Sequence, residues 1–129
     1  AYGATACTDI TGFGLLGHLL EMLGSKLGAR LELAQLPLLP GAAEQIRAGI
    51  LSTMHAANAR SAGGLLEVPP TVDESRVQML FDPQTSGGLL VCVDKTQATA
   101  FENFSQSKGF SLKPIGRLQE KGEVTIKII

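Results

Sequence analysis

The chain has 129 residues, 44% of them hydrophobic, which suits one globular domain with a core of its own. Its 11 basic and 12 acidic residues give a formal net charge of -1, so neither nucleic acid nor an anionic membrane surface is an expected partner. No apolar run approaches the ~20 residues of a membrane span, no signal-peptide pattern is visible, and the two cysteines form no CxxC pair, so we expect a cytoplasmic location.

The first predicted element is an apolar helix that begins near Thr11 or Gly12. Asp9 and Thr11 are residue types that accept hydrogen bonds from the free N–H groups of a first helical turn. Such a terminus suits a phosphate, and a nearby aspartate could hold the accompanying magnesium. An ordinary helix cap explains the same residues, so both interpretations stay open. The helical spacing is carried by Leu15, Leu16, Leu19, Leu20 and Leu23.

The same segment matches the G-x-G-x-x-G spacing of dinucleotide-binding sites. Gly12, Gly14 and Gly17 supply the glycines, and Glu32 lies about 20 positions after the first, as that fingerprint requires. The fingerprint must follow a buried strand, however, and residues 4–9 are too small and polar for one. We therefore reject a Rossmann site.

The rest of the chain mixes helical and strand patterns. These predict a half-exposed strand at residues 29–34, helices at 41–48 and 53–62, and a short strand at 65–68. Asp73 is expected to cap a short helix, and a turn-rich segment at 81–88 leads into a buried strand at 89–93. Asp94 is expected to cap a helix at 95–108, before strands at 113–118 and 123–129. Because strands and helices do not alternate strictly, we predict an α+β fold with helices packed on a mixed or antiparallel sheet.

Other chemically interesting side chains have ordinary structural explanations. His18 is a possible base, but no Ser or Cys nucleophile is spaced to pair with it, which favours a structural histidine. Cys92 lies in an apolar run and is expected to act as a small hydrophobic residue, whereas the role of Cys7 stays open. Thr85 and Ser86, before two glycines, fit either an anion-binding nest or a tight turn.

Two segments of the chain resemble a known family. Residues 6–19 read Ala-Cys-Thr-Asp-Ile-Thr-Gly-Phe-Gly-Leu-Leu-Gly-His-Leu, and residues 81–90 read Phe-Asp-Pro-Gln-Thr-Ser-Gly-Gly-Leu-Leu. Both resemble characteristic segments of the selenophosphate synthetases, also called selenide, water dikinases. The resemblance implies the carboxyl-terminal fold of the aminoimidazole ribonucleotide synthetase superfamily, which is partly ferredoxin-like. Residues 1–129 would then be a single domain, the carboxyl-terminal one of a two-domain enzyme whose ATP-binding amino-terminal domain lies outside this sequence.

The resemblance also implies an activity. Selenophosphate synthetases convert selenide, ATP and water into selenophosphate, AMP and orthophosphate with magnesium, and the implied parent is a homodimer. Their catalytic Cys or selenocysteine belongs to the amino-terminal part, so no catalytic residue is expected here. Asp9 matches the family's magnesium ligand, and the phosphate cleft would be lined by Thr8, Thr11, Gly12 and Gly14. The alternatives are a non-catalytic scaffold or partner-binding domain, or the equivalent domain of another ATP-using superfamily member.

Overall fold

The computed structural model describes residues 2–129, which form an α+β fold as predicted. Three single-turn 3-10 helices accompany the main elements, at Leu33–Gln35, Gly63–Leu65 and Lys95–Gln97. The strands are β1 (Ala4–Asp9), β2 (Leu27–Leu31), β3 (Leu66–Glu67), β4 (Leu89–Val93), β5 (Gly116–Glu120) and β6 (Ile126–Ile128). The α-helices are α1 (Gly14–Leu23), α2 (Ala42–Arg47), α3 (His55–Ala62), α4 (Glu74–Met79) and α5 (Ala98–Ser107).

The strands form two separate sheets. Four of them make a mixed sheet in the order β3-β6-β2-β5, in which β6 runs parallel to both β3 and β2 while β5 is antiparallel to β2. The other two, β1 and β4, make an antiparallel two-stranded ribbon. The ribbon therefore brings the first family-like motif (residues 6–19) beside the second (residues 81–90).

Residues 4–9 form a strand although they are small and polar. The strand, β1, alternates between exposed and half-buried residues, so it needs no apolar side chains of its own. Its partner β4 supplies the apolar contact through Leu90, which is buried. Because β1 is antiparallel and mostly exposed, it is not the buried parallel strand that a dinucleotide fingerprint follows, and the rejection of a Rossmann site is retained.

The core lies between α1 and the mixed sheet. Helix α1 presents the leucine face expected from the sequence, and β2 and β6 supply the opposing apolar residues. Among the core side chains, Leu16, Leu80, Ile126 and Ile128 are the largest that are fully buried. No helix within residues 2–129 is both long enough and apolar enough to cross a bilayer.

Both predicted aspartate caps are confirmed. Asp73 accepts hydrogen bonds from the amide (3.0 Å) and the hydroxyl (2.8 Å) of Ser75, and Asp94 accepts the corresponding pair from Thr96 (2.8 and 2.6 Å). Hydrogen bonds from Ser75 and then from Arg47 lower the pKa of Asp73 below its usual value. Its stabilising contribution is therefore present above the pKa of the unfolded chain and is lost as the pH falls through the folded-state pKa.

Element boundaries differ from the predicted ones by a few residues. The strand predicted at 29–34 is Leu27–Leu31, and those predicted at 113–118 and 123–129 are Gly116–Glu120 and Ile126–Ile128. The helix predicted at 95–108 is divided into a 3-10 turn and α5. A side-chain pattern marks the residues that face the core, but the length of a strand is set by its hydrogen-bonded partner.

Candidate functional site

The two motifs noted in the sequence pack against each other. The loop after β1 (residues 10–13, the first loop) lies on the loop before β4 (residues 80–88, the second loop), although the two are far apart in the chain. Glycine at position 87 allows this approach, since a Cβ there would overlap the Ile10 carbonyl oxygen. Two backbone hydrogen bonds join the loops, from the Ile10 amide to the Gly88 carbonyl (2.9 Å) and from the Gln84 amide to the Thr11 carbonyl (3.0 Å).

A buried asparagine from α3 ties the same loops together. The Nδ2 atom of Asn58 donates to the Gly12 carbonyl in the first loop and to the Phe81 carbonyl in the second, both at 2.9 Å. Sequence reasoning missed this residue. The available signal was its helical spacing from His55 and Ala62, since all three residues are buried on one face of α3.

We predict that Asn58→Ala lowers the free energy of unfolding by about 2–3 kcal/mol, because it leaves two loop carbonyls without their donor. Urea denaturation followed by circular dichroism measures the change. Asn103→Ala, at an exposed position of α5, is the matched control and should stay within about 0.5 kcal/mol of the unmodified protein. Equal effects of the two substitutions would mean that the Asn58 hydrogen bonds do not stabilise the loop pair.

Helix α1 begins at Gly14, so the predicted start near Thr11 or Gly12 is wrong by two or three residues. Phe13 occupies the N-cap position without a side-chain cap bond, so neither Asp9 nor Thr11 is the predicted cap. Gly14 has a φ of +67°, a left-handed conformation at the start of the helix, where the backbone of the second loop packs against it.

The three glycines of the motif have different surroundings. A Cβ on Gly14 would lie 2.8 Å from the Leu80 carbonyl oxygen, so the second loop occupies the space that a side chain at position 14 would need. A Cβ on Gly17 would lie 2.5 Å from the Cβ of Phe13, whose ring packs over the helix. A Cβ on Gly12 would have no neighbouring atom within 4 Å, so the space beside Gly12 is open. The glycine spacing therefore serves loop packing at two positions and leaves free space at one.

Asp9 ends β1 with its carboxylate exposed. It lies opposite Leu89 on the outer face of the ribbon, and within residues 2–129 the carboxylate has no hydrogen-bond or ion-pair partner. The preceding Thr8 is half-buried, and its hydroxyl donates to the Asp9 carbonyl oxygen at 3.2 Å. Asp9 is thus available to a ligand from outside this domain.

The residues around Asp9 are compatible with a magnesium site whose other ligands come from a nucleotide and water. In the part of the chain that the structure describes, they do not form a site made of protein side chains alone. Among residues 2–129 no group of three or more His, Cys, Asp or Glu side chains could hold a metal ion. Magnesium bound with a nucleotide commonly takes only one or two carboxylates from protein, together with phosphate oxygens and water. A single exposed carboxylate, such as that of Asp9, is compatible with that mode.

His18 has two polar partners that the sequence did not reveal. Its Nε2 lies 3.0 Å from the Thr11 hydroxyl, and its Nδ1 lies 3.1 Å from a carboxylate oxygen of Glu21. The ring is buried, and the Phe13 ring is tilted against it at 5.6 Å between centroids. Sequence reasoning sought only a Ser or Cys nucleophile, whereas the hydroxyl beside His18 is that of Thr11, which lies in the first loop before the helix.

The remaining candidates are only partly defined by the fold. Thr85 and Ser86 are exposed in the second loop, so the choice between an anion-binding nest and a turn stays open. His55 has a structural partner, because its Nε2 donates to the Gln78 carbonyl at 2.9 Å.

Cys7 and Cys92 are both free thiols. The strand register places them on opposite faces of the ribbon, and burial raises the pKa of Cys92.

The fold and its paired loops agree with the comparisons to known proteins. The profile of the family described as AIR synthase related protein, C-terminal domain, matches residues 1–129, and the chain belongs to that family. Within it, the chain is similar to proteins named selenide, water dikinase, which confirms the resemblance seen in the two motifs. Identity is 40% with the Bordetella bronchiseptica protein, 41% with that of Pseudomonas aeruginosa and 34% with that of Nitratidesulfovibrio vulgaris strain DP4. Each alignment covers 98% of this chain and 36% of the relative, so the chain spans about a third of their length.

Proposed function

We propose that residues 1–129 are the carboxyl-terminal domain of a two-domain selenide, water dikinase, which converts selenide, ATP and water into selenophosphate, AMP and orthophosphate. The observation that carries the proposal is the exposed carboxylate of Asp9, which has no partner within residues 2–129, at the edge where the two motif loops are joined. The similarity to proteins named selenide, water dikinase supports the choice of reaction. The full-length protein would be a cytoplasmic homodimer.

In this proposal the domain supplies one wall of the ATP site. Asp9 would hold magnesium, and the bound ion would neutralise charge on the phosphate oxygens. Gly12 leaves room for the phosphates, whereas Gly14 shapes that wall by letting the second loop pack behind it. Thr11, exposed in the first loop, completes the wall, whereas the side chain of Thr8 faces the opposite side of the ribbon from Asp9. The remaining ligands and the catalytic residue would come from the other domain.

We expect the purified full-length protein to form selenophosphate, AMP and orthophosphate in equal amounts, as measured by phosphorus NMR and nucleotide chromatography. Residues 1–129 alone should fold, checked by circular dichroism, and should show no turnover above a no-protein control. Calorimetry should find only weak magnesium-ATP binding to this domain, because it presents a single wall of the cleft.

Each alternative gives a different result in these measurements. A full-length protein that binds no ATP would indicate a scaffold or partner-binding domain. Transfer of phosphate to another acceptor, without selenophosphate, would indicate a different ATP-using member of the superfamily. Turnover by residues 1–129 alone, or micromolar magnesium-ATP binding, would contradict the one-wall arrangement.

A further inference from the structure

The hydrogen-bond chain from Glu21 through His18 to Thr11 has a defined direction. An ionised carboxylate only accepts hydrogen bonds, so the 3.1 Å contact with Glu21 places a hydrogen on Nδ1 of His18. In the neutral imidazole the other nitrogen, Nε2, is then an acceptor. With His18 neutral and its hydrogen on Nδ1, the Thr11 hydroxyl, 3.0 Å from Nε2, donates its hydrogen to His18.

This direction determines what Thr11 offers to a ligand. Its single hydrogen is used by His18, so only oxygen lone pairs remain for the exposed side of the residue. A phosphate oxygen needs a donor and gains nothing from such a group. A water molecule that coordinates a cation is a donor, and the negative charge of Asp9 attracts cations to this edge. The two residues are two positions apart, so their Cα atoms lie within about 7 Å.

We propose that Thr11 accepts a hydrogen bond from a water in the hydration shell of the magnesium ion at Asp9, and that His18 and Glu21 are positioning residues for Thr11. The inference rests on the proposed function, because it needs the cation at Asp9. It changes the expected role of Thr11 from a direct phosphate contact to a contact with metal-bound water. Magnesium keeps several waters when it is bound through one or two carboxylates, so such a water is available.

The burial of His18 makes the arrangement rigid. The ring is only 7% exposed and lies against Phe13, which limits its rotation. Glu21 is one helical turn away on α1, and its carboxylate is exposed. The helix therefore holds the imidazole with Nδ1 toward Glu21 and Nε2 toward the first loop.

The first test reads the tautomer and does not depend on activity. In the full-length protein labelled with 15N at histidine, long-range 1H–15N NMR spectra should show His18 protonated at Nδ1 and unprotonated at Nε2. The signal is assigned by its loss in His18→Gln and, independently, by its shift in Glu21→Gln, which replaces the carboxylate with an amide able to donate. A His18 signal protonated at Nε2, with or without a hydrogen on Nδ1, would overturn the proposed direction.

The second test separates magnesium dependence from turnover. In the full-length enzyme, Thr11→Val should raise the magnesium concentration for half-maximal rate about five-fold, the size expected for one lost hydrogen bond. The rate at saturating magnesium should fall by a smaller factor. Thr11→Ser keeps the hydroxyl and should restore most of the magnesium response. Thr99→Val, at an exposed position of α5, is the matched control and should leave it unchanged.

Failure of this inference can be distinguished from failure of the proposed function. If Asp9→Asn abolishes selenophosphate formation while Thr11→Val has a normal magnesium response, the proposed function stands and the Thr11 contact is excluded. If both variants retain normal magnesium responses, the cation site itself is excluded. A higher half-maximal concentration of ATP, with an unchanged magnesium response in Thr11→Val, would show that Thr11 contacts phosphate directly and would overturn the inference.

Discussion

Replacing Asp9 with asparagine in the full-length protein should reduce selenophosphate formation by at least ~100-fold, equivalent to about 2.7 kcal/mol of transition-state stabilisation. The amide has a similar size but lacks the negative charge that a hard divalent ion prefers. The fold should be unaffected. Asp9 caps no helix and its carboxylate is exposed, so the free energy of unfolding should change by no more than about 0.5 kcal/mol.

The measurement compares initial rates at limiting and saturating magnesium with melting curves of the same preparations. Glu123→Gln, which removes an exposed carboxylate from the turn between β5 and β6, is the control for loss of one negative charge. It should retain the normal rate. An Asp9→Asn enzyme that melts normally and turns over at a near-normal rate in limiting magnesium would show that Asp9 is not a metal ligand.

Gly14→Ala should give the largest loss of stability among simple substitutions in the first motif, about 2–4 kcal/mol by urea denaturation. Two costs combine at this position. A φ of +67° disfavours any residue with a Cβ by about 1 kcal/mol or more, and the new carbon would lie 2.8 Å from the Leu80 carbonyl oxygen. Overpacking against main-chain atoms adds about 1–3 kcal/mol because the backbone of the second loop cannot rotate away.

Two other glycines separate these costs. Gly41 has a φ of +84° and open space around it, so Gly41→Ala should show the conformational cost alone, about 1 kcal/mol. Gly12 has neither a positive φ nor a neighbour within 4 Å, and Gly12→Ala should stay within about 0.5 kcal/mol of the unmodified protein. If Gly14→Ala costs no more than Gly41→Ala, the second loop yields to the added methyl group and the packing argument is wrong.

The parts of this structure that could be predicted are those determined within a few neighbouring residues. The leucine spacing of α1 and the caps at Asp73 and Asp94 depend on contacts one or two turns away, and the structure contains all of them. The α+β class followed from the mixture of such patterns. The role of Asp9 as a metal ligand stays a prediction, which the exposure of its carboxylate permits.

The parts that could not be predicted depend on residues distant in the sequence. The start of α1 is displaced to Gly14 because the second loop packs against it, and no local pattern reports that contact. Asn58 resembles an ordinary polar residue of a short helix until the two loop carbonyls meet at its side chain. The contact of His18 with Thr11 likewise depends on the path of the first loop, which brings Thr11 back toward the helix.

The alignment of the two strands in the ribbon determines the side to which the Asp9 charge is directed. Asp9 lies opposite the exposed Leu89, while its neighbours Thr8 and Ile10 face the opposite side, beside the buried Leu90. A slip of one residue would turn the carboxylate into the core and expose the isoleucine, because side chains alternate along a strand. The bond from the Ile10 amide to the Gly88 carbonyl fixes the end of the ribbon against such a slip. A hydrogen bond from a turn-rich loop thus helps to determine whether an acidic group distant in the chain meets solvent or protein.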